Sequence, residues 1–374
     1  MSVLKSRPAL RWLVPLVAAV TVVGGGAAIG TFAANAEPAL PPRSAAQLLV
    51  DLQTARLDGL SGTVVQRADL GLPPAVGLLG NDATGLLTGT HTLRVWYSGP
   101  DRQRVALLDT LGERDVVRSG RDVWTWDSKA NAATHRTLPA STGRDPEAAL
   151  PATPKEAADR ALAAVDPSTA VTVGRAAKVA GRDAYELVLS PRDQASLVSQ
   201  VRIAIDATEH VPLRFEVFAD GSDQAAFEVA FTQVDYRRPD ADQFTFNPPA
   251  GVKVTEEKAG PAGNAERRTA PRKPADGDLR TVGEGWTTVV VARTGATELR
   301  DMPRSAADVA GAAGRPGGDP AAALNVLNGL PKVSGDWGSG RLLTTKLVSV
   351  LLTDDGRLLA GAVTPERLYQ AARG

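Results

Sequence analysis

Cysteine is absent from the 374 residues, which excludes disulfides, thiolate metal sites and a lipid-modified cysteine, so any membrane tether has to be a peptide segment. Histidine is nearly as scarce. His91, His135 and His210 are the only three, and none belongs to a metal-binding helix motif. His91 opens a strand and His210 sits in a polar turn, where a surface role accounts for each. The mature chain has no Gly-x-Ser-x-Gly elbow, no Ser-x-x-Lys and no phosphate loop; Gly338-Ser339-Gly340 lacks the spacing, and Asp354 and Asp355 fall on a turn. The expectation is a protein that is not an enzyme and carries no metal or cofactor. Excess positive charge is also missing. Lys and Arg equal Asp and Glu at 42 each, and because Lys5, Arg7 and Arg11 precede the rest with no acid among them, the remainder carries 39 bases against 42 acids. Nucleic acid demands clustered positive charge and is not an expected partner.

What is present begins with a leader. Behind the basic head formed by Lys5, Arg7 and Arg11, the 25 residues from Trp12 to Ala36 carry no charge. That exceeds the roughly 20 residues needed to cross a bilayer core, and the head would stay on the cytoplasmic side. Export follows as an expectation, with residues 1–36 a signal peptide or an amino-terminal membrane anchor. Ala34 and Ala36 suit a cleavage site before Glu37, the length suits an uncleaved anchor, and Gly24, Gly25 and Gly26 weaken a permanent helix. The product is extracytoplasmic, secreted or tethered by residues 12–36.

A length of 374 residues with 43% apolar and 22% charged side chains is too much for one comfortable core, so two folded parts are expected. Ser44 and Gln47 fit a capping box behind Pro41 and Pro42. Leu48, Leu49 and Leu52 mark one apolar face, and Gly59 can end that helix. The period then changes to strands over Thr63–Gln66, Thr90–Tyr97, Arg104–Leu108, Val116–Ser119 and Asp122–Trp126. Thr153, Pro154 and Glu156 start a second helix, with Leu162 and Val165 on its core face and Asp166-Pro167 stopping it. The clearest alternation follows: Tyr185, Leu187 and Leu189; Val201, Ile203 and Ile205; Leu213, Phe215 and Val217; Phe227, Val229 and Phe231. Four such runs mean a sheet with one apolar face and one polar face. From Gly251 to Asp278 the pattern collapses into a flexible linker. Beyond it, Trp286–Ala292 reads as a strand and Asp319-Pro320 as the start of a short helix. Leu342–Val350 and Leu358–Val363 flank an Asp354-Asp355-Gly356 turn, and a last helix opens at Thr364-Pro365. No repeat of solenoid or propeller period is found.

The stretch Gly181-Arg182-Asp183-Ala184-Tyr185-Glu186-Leu187, the strand end Ile205-Asp206, the strand start Val211-Pro212-Leu213-Arg214 and the closing Phe244-Thr245-Phe246-Asn247-Pro248-Pro249 resemble the second half of LolA/RseB-like domains. With the helix from Ser44 and the Gly62–Gln66 strand, the resemblance covers roughly residues 40 to 255. It implies an α+β fold, a curved antiparallel half-barrel sheet capped by helices, enclosing an apolar cavity for acyl chains or a lipidated or peptide partner. A trailing small α+β domain is more like the RseB branch. The expected organisation is residues 37–255 as the LolA/RseB-like domain, 256–280 as linker and 281–374 as the small domain. A sheet too wide to lie flat curls, and at about 25 cal/mol per Å2 of buried apolar surface an acyl chain in its hollow needs no charged contact.

Candidate cavity residues are Trp96, Trp124 and Trp126, a rigid aromatic set, the last two on one face of one strand; the alternative is that they pack beneath the capping helices. Arg94 shares a strand face with Trp96 and either neutralises a headgroup or sits at the rim. Leu70, Leu72, Leu78, Leu79, Leu86 and Leu87 lie among Gly and Pro in a long loop, read as a gate over the cavity mouth or as a flap completing the core. Arg267, Arg268, Arg272 and Lys273 in the linker touch anionic lipid or are simply solvated. Three functions stay open: a carrier of lipid or lipoprotein acyl chains; a regulatory sensor occupying a membrane-bound anti-sigma factor or transporter; and an envelope structural or interaction module with a closed core.

Overall fold

The computed structural model describes residues 38–72, 88–109, 112–138, 167–257, 279–293 and 329–374. The leader, the leucines at 78, 79, 86 and 87, the helix expected from Thr153, the linker cations and the start of the helix expected at Asp319 lie outside the described residues. Among the described residues no helix is long and apolar enough to cross a membrane.

Helix α1 (Ala45–Thr54) carries the expected capping box. The Gln47 amide donates to Ser44 Oγ at 3.3 Å and the Ser44 amide donates to Gln47 Oε1 at 2.8 Å. It ends earlier than expected. Thr54 Oγ1 turns back to donate to the Val50 carbonyl at 2.8 Å, and Ala55 leaves in an extended conformation. Gly59 has another use: a Cβ there would collide with the Arg238 backbone, so it lets two chain segments touch where the sheet begins.

Strands β1 (Leu60–Asp69), β2 (Thr88–Tyr97), β3 (Arg102–Asp109), β4 (Gly112–Ser119), β5 (Asp122–Asp127) and β6 (Ala132–Thr137) form an antiparallel meander. His91 lies inside β2 rather than at its start. After the chain re-enters come β7 (Thr169–Val173), β8 (Ala177–Val179), β9 (Arg182–Pro191), β10 (Val198–Asp206), β11 (Pro212–Ala219) and β12 (Ala225–Asp235). Pairing of β1 with β12 joins the two meanders into one 13-stranded, curved and unclosed sheet. The last member, β13 (Lys253–Glu257), is parallel to β6. It occupies residues read from the sequence as leading into a linker, because its pairing is made by backbone groups alone while its side chains all remain exposed. The described part is mostly β, with fewer helices than an α+β reading implies.

The four alternating runs fall in register. Leu187 opposes Ile203, Ile203 opposes Phe215, Phe215 opposes Val229, and Val229 opposes Gln66 of β1. Directly opposed residues share a face, so these side chains make one apolar face, onto which α1 lays Leu48.

A second sheet contains β14 (Leu279–Val282), β15 (Val289–Arg293), β16 (Lys332–Gly335), β17 (Gly338–Thr344), β18 (Ser349–Thr353) and β19 (Arg357–Gly361), in the order β14-β15-β19-β18-β17-β16. Helix α2 (Pro365–Arg373), with Pro at its start as expected, closes a core of Val289, Leu351, Leu359, Val363 and Leu368. Two local expectations are corrected. Trp286 sits in a 3-10 turn (Gly285–Thr287) ahead of β15. The run 342–350 is broken by a turn in which Thr345 Oγ1 donates to the Val348 carbonyl at 2.8 Å and accepts from its amide at 2.9 Å.

The sheets are in contact. The Leu197 amide donates to the Ala362 carbonyl at 2.9 Å, the Thr364 amide to Ala195 at 3.1 Å and the Lys346 amide to Leu70 at 2.8 Å. Trp286, Leu347 and Ala362 pack into the same cluster as Leu48, Tyr185 and Ile205. The apolar face over β9–β12 is therefore covered by the chain itself.

Candidate functional site

The face opposite α1 carries the sequence candidates. Ser61 and Thr63 of β1 oppose Trp96 and Arg94, which oppose Arg104 and Ala106; these oppose Val117 and Asp115, then Trp124 and Trp126, then His135 and Ala133. Arg94, Trp96, Trp124 and Trp126 thus share one face, as their spacing indicates, and it is the polar one. Helix α1 is on the other side of the sheet, and the second helix expected from Thr153 lies outside the described residues. The cover over the tryptophans is the segment after β12. Phe246 lies 5.3 Å from the Trp124 ring and 6.2 Å from Trp126, and Phe244, in a 3-10 turn (Ala241–Phe244), is 2% exposed. The Phe-Thr-Phe motif that carries the resemblance is physically the clamp over this half of the sheet.

His135 completes the aromatic row. It stacks on Trp124 at 4.3 Å with planes 19° apart, and its two ring nitrogens meet Glu256 of β13 at 2.8 Å and Asp122 at 3.1 Å. Burial pulls its pKa down, but the two carboxylates outweigh it and hold it above the ordinary histidine value.

Arg94 and Trp96 line a cleft of about 200 Å3 with Ser61, Gly62, Thr63, Gln233, Val234 and Asp235. Trp124 and Trp126 do not reach it. A bulge lies at the cleft: Thr63 opposes Gln233 but Val64 opposes Phe231, so Thr232 is the extra residue and the twist of the pair changes there while the strands stay paired as far as Ser61 and Asp235. Gly62 permits the close approach, since a Cβ there would strike the Gln233 carbonyl and the Phe231 ring. Hydroxyl, amide, guanidinium and carboxylate groups dominate the lining of the cleft. Two guanidinium groups, Arg94 and Arg104, each lie 5.1 Å from the Trp96 ring centre. Arg104 is paired with Asp115, which is 3% exposed. Burial, helped by the Glu113 carboxylate and resisted by Arg104, pushes the Asp115 carboxyl up to about 6. At the far rim Arg237 grips Asp235 at 2.5 Å and holds its carboxyl down at about 2.

The remaining resemblance motifs meet at Asp206, which is 1% exposed. It accepts from Arg182, from Tyr236 Oη at 2.9 Å and from the amides of Thr208 and Glu209 at 2.8 and 3.0 Å. Arg182 also lies over the Tyr236 ring at 4.6 Å. Burial alone would raise the Asp206 carboxyl; the hydrogen bonds hold it below its ordinary value. This is a structural knot tying β9, β10 and the end of β12. Of the gate residues, Leu70 and Leu72 are half-buried at the root of the loop, where Lys346 pairs with Asp69 at 2.6 Å; the other four lie outside the described residues. Sequence reading missed Arg104, Asp115, Gln233, Asp235 and Phe246. Arg104 and Asp115 fall at regular positions in polar strands, but only the register reveals them as neighbours of Trp96. Among the described residues no cluster suited to a metal ion occurs.

The fold and this face define a class, a wide, unclosed antiparallel binding sheet. Residues 87–250 match the MucB/RseB N-terminal domain family, so over that segment the chain is similar to the LolA/RseB-like proteins that its motifs resemble. Among solved structures it is similar to the Pseudomonas aeruginosa MucA/MucB complex, with 18% identity, 88% of this chain and 96% of that chain covered, and a TM-score of 0.42. A conserved protein of Thermus thermophilus aligns with 13% identity over 56% of this chain and 98% of its own, TM-score 0.33. A LolA superfamily protein of Nitrosomonas europaea aligns with 12% identity over 55% and 99%, TM-score 0.22. No curated protein matches. The family match over residues 87–250, and not these distant superpositions, carries the similarity.

Proposed function

We propose that this is a non-enzymatic, extracytoplasmic binding protein of the RseB kind, which holds a segment of a membrane-bound partner protein such as an anti-sigma factor. The observation that carries this reading is the state of the two sheet faces. Over β9–β12 the apolar face is taken by Leu48, Trp286, Leu347 and Ala362, while the described cleft is polar. A polar cleft rimmed by an aromatic ring and hydrogen-bonding groups suits a peptide better than an acyl chain. MucB, the protein named in the family match, is itself known in complex with MucA, in keeping with a protein partner.

A carrier of acyl chains remains the second reading because of one specific feature. On the apolar face of β2–β4, Leu93, Val95, Val105, Leu107 and Val116 lie together, and Val116 is 45% exposed. Native mass spectrometry and lipid extraction of the full chain purified from its own membranes in mild detergent separate the two. A stoichiometric membrane protein without lipid is the expected result. Stoichiometric lipid without a protein partner would replace this reading with the carrier, and neither would leave an envelope module with a closed core.

A further inference from the structure

Trp96 is flanked by two cations with unequal partners. Arg104 has Asp115 beneath it, whereas Arg94 is exposed and, among the described residues, makes a ring contact but no ion pair or hydrogen bond. A guanidinium that rests over an indole, 5.1 Å from the ring centre, with no other partner among the described residues, has its fork of donors available to take a carboxylate or phosphate by two parallel hydrogen bonds. The cleft beside it, about 200 Å3, offers Ser61, Thr63 and Gln233 as neutral partners, and it lies next to the β1–β12 bulge.

The other charge in the lining decides between anions. Asp235 stands on the same cleft, already gripped by Arg237. Its fixed negative charge repels a phosphate dianion more strongly than a singly charged carboxylate.

We propose that this cleft seats one carboxylate of the partner, the side chain of an Asp or Glu on an extended peptide segment, with Arg94 as the anion-binding residue and Trp96 as its platform. The proposal rests on the protein-partner reading above and names the chemistry of that partner. It differs from a cavity for acyl chains in requiring no apolar pocket at all.

The test uses the full chain labelled with 15N, following the Arg94 Nε and Trp96 Nε1 signals. The probes are the capped tripeptides acetyl-Gly-Glu-Gly-amide and acetyl-Gly-Gln-Gly-amide, inorganic phosphate, and phosphatidylglycerol vesicles. Saturable shifts of both signals with the Glu peptide are expected, with affinity about tenfold weaker or worse for the Gln peptide and for phosphate, in line with the strength of a charge-assisted pair. Arg94→Met should abolish the response while the rest of the spectrum stays in place, and Arg94→Lys should recover only part of it. An equal response to the Gln peptide, or one that persists in Arg94→Met, overturns the proposal. Stronger binding of phosphate or vesicles assigns the cleft to a lipid headgroup and overturns it too. If the wild type co-purifies with its membrane protein but the Glu peptide gives no shift in it, the cleft proposal fails while the protein-partner reading stands.

Discussion

Asp115 and Asp206 are withdrawn from water to nearly the same degree, at 3% and 1% exposure, yet their carboxyls move in opposite directions. Asp206 receives donors from two amides, a phenol and a guanidinium, enough to overcome its burial. Asp115 has Arg104 alone and a second carboxylate, Glu113, nearby, and one of its oxygens has no partner among the described residues. The two therefore act on stability with opposite sign. The folded-state value of Asp206 lies below the ordinary 3.8, so its contribution is complete above that pH and is lost as the pH falls through the folded value. Asp115 binds its proton more tightly when folded, so its contribution declines as the pH rises from 3.8 to about 6. Replacing Asp206 by Ala should cost about 3 kcal/mol, the usual result of leaving a buried ion pair half-made, read as a lower urea midpoint at neutral pH. Asp115→Asn should remove the decline between 3.8 and about 6 from the curve of unfolding free energy against pH; a variant curve parallel to the wild type through that window would refute the assignment.

Among the elements, β13 is the exception in pairing and in exposure. It is the parallel strand of an otherwise antiparallel sheet, all five of its residues are exposed, and its side-chain tie to the body is Glu256 on His135. With both imidazole nitrogens facing carboxylates, the ring serves both only when it carries two N–H groups. Because the folded pKa of His135 is raised above 6.5, the latch is complete below that pH and is lost as the pH rises through the folded value. The charged groups about it are Asp122 and Glu256, with Arg136 and Lys253 on the same two strands. Hydrogen exchange of residues 253–257, corrected for intrinsic rates, should be slower at pH 5.5 than at pH 8, and His135→Gln should remove the difference; equal protection at both pH values in the wild type would refute it. At this scale the sequence was readable wherever period carried the information. The capping box at Ser44, the four alternating runs and the proline start of α2 are all local patterns. What defeated local reading were features set by a partner strand: the bulge at Thr232, the close approach at Gly59, and β13, whose polar residues pair by backbone alone.

At the level of the whole molecule, the sequence leads to the expectation of two folded parts and gives no sign that the two sheets share an apolar cluster. Trp286 looks like one more strand residue in its own run; only across the gap in sequence does its indole N–H reach Thr169 Oγ1 at 2.8 Å while its ring joins the cluster around Leu48 and Tyr185. The candidate site was legible to a similar depth. Arg94 and Trp96 two residues apart on one strand predict a shared face, while the partners that make their cleft come from β12, well over a hundred residues later. Two sheets joined by an apolar cluster, a lysine on the Asp69–Leu70 root and backbone bonds at 195–197 should unfold as one cooperative unit, since either sheet alone would expose part of the common cluster. Trp286→Ala removes the largest side chain that the second sheet contributes. For a half-buried aromatic the loss should be about 2 to 3 kcal/mol, at or below the low end for core truncations, but its form matters more than its size. Calorimetry of the wild type should show a single transition, and Trp286→Ala should either lower that transition or split it, with the second sheet melting first. A wild type that already melts in two independent steps, unaffected by Trp286→Ala, would mean that the contact between the sheets carries no free energy. The apolar face over β9–β12 would then be only loosely covered, and the acyl-carrier reading would regain the ground that this contact takes from it.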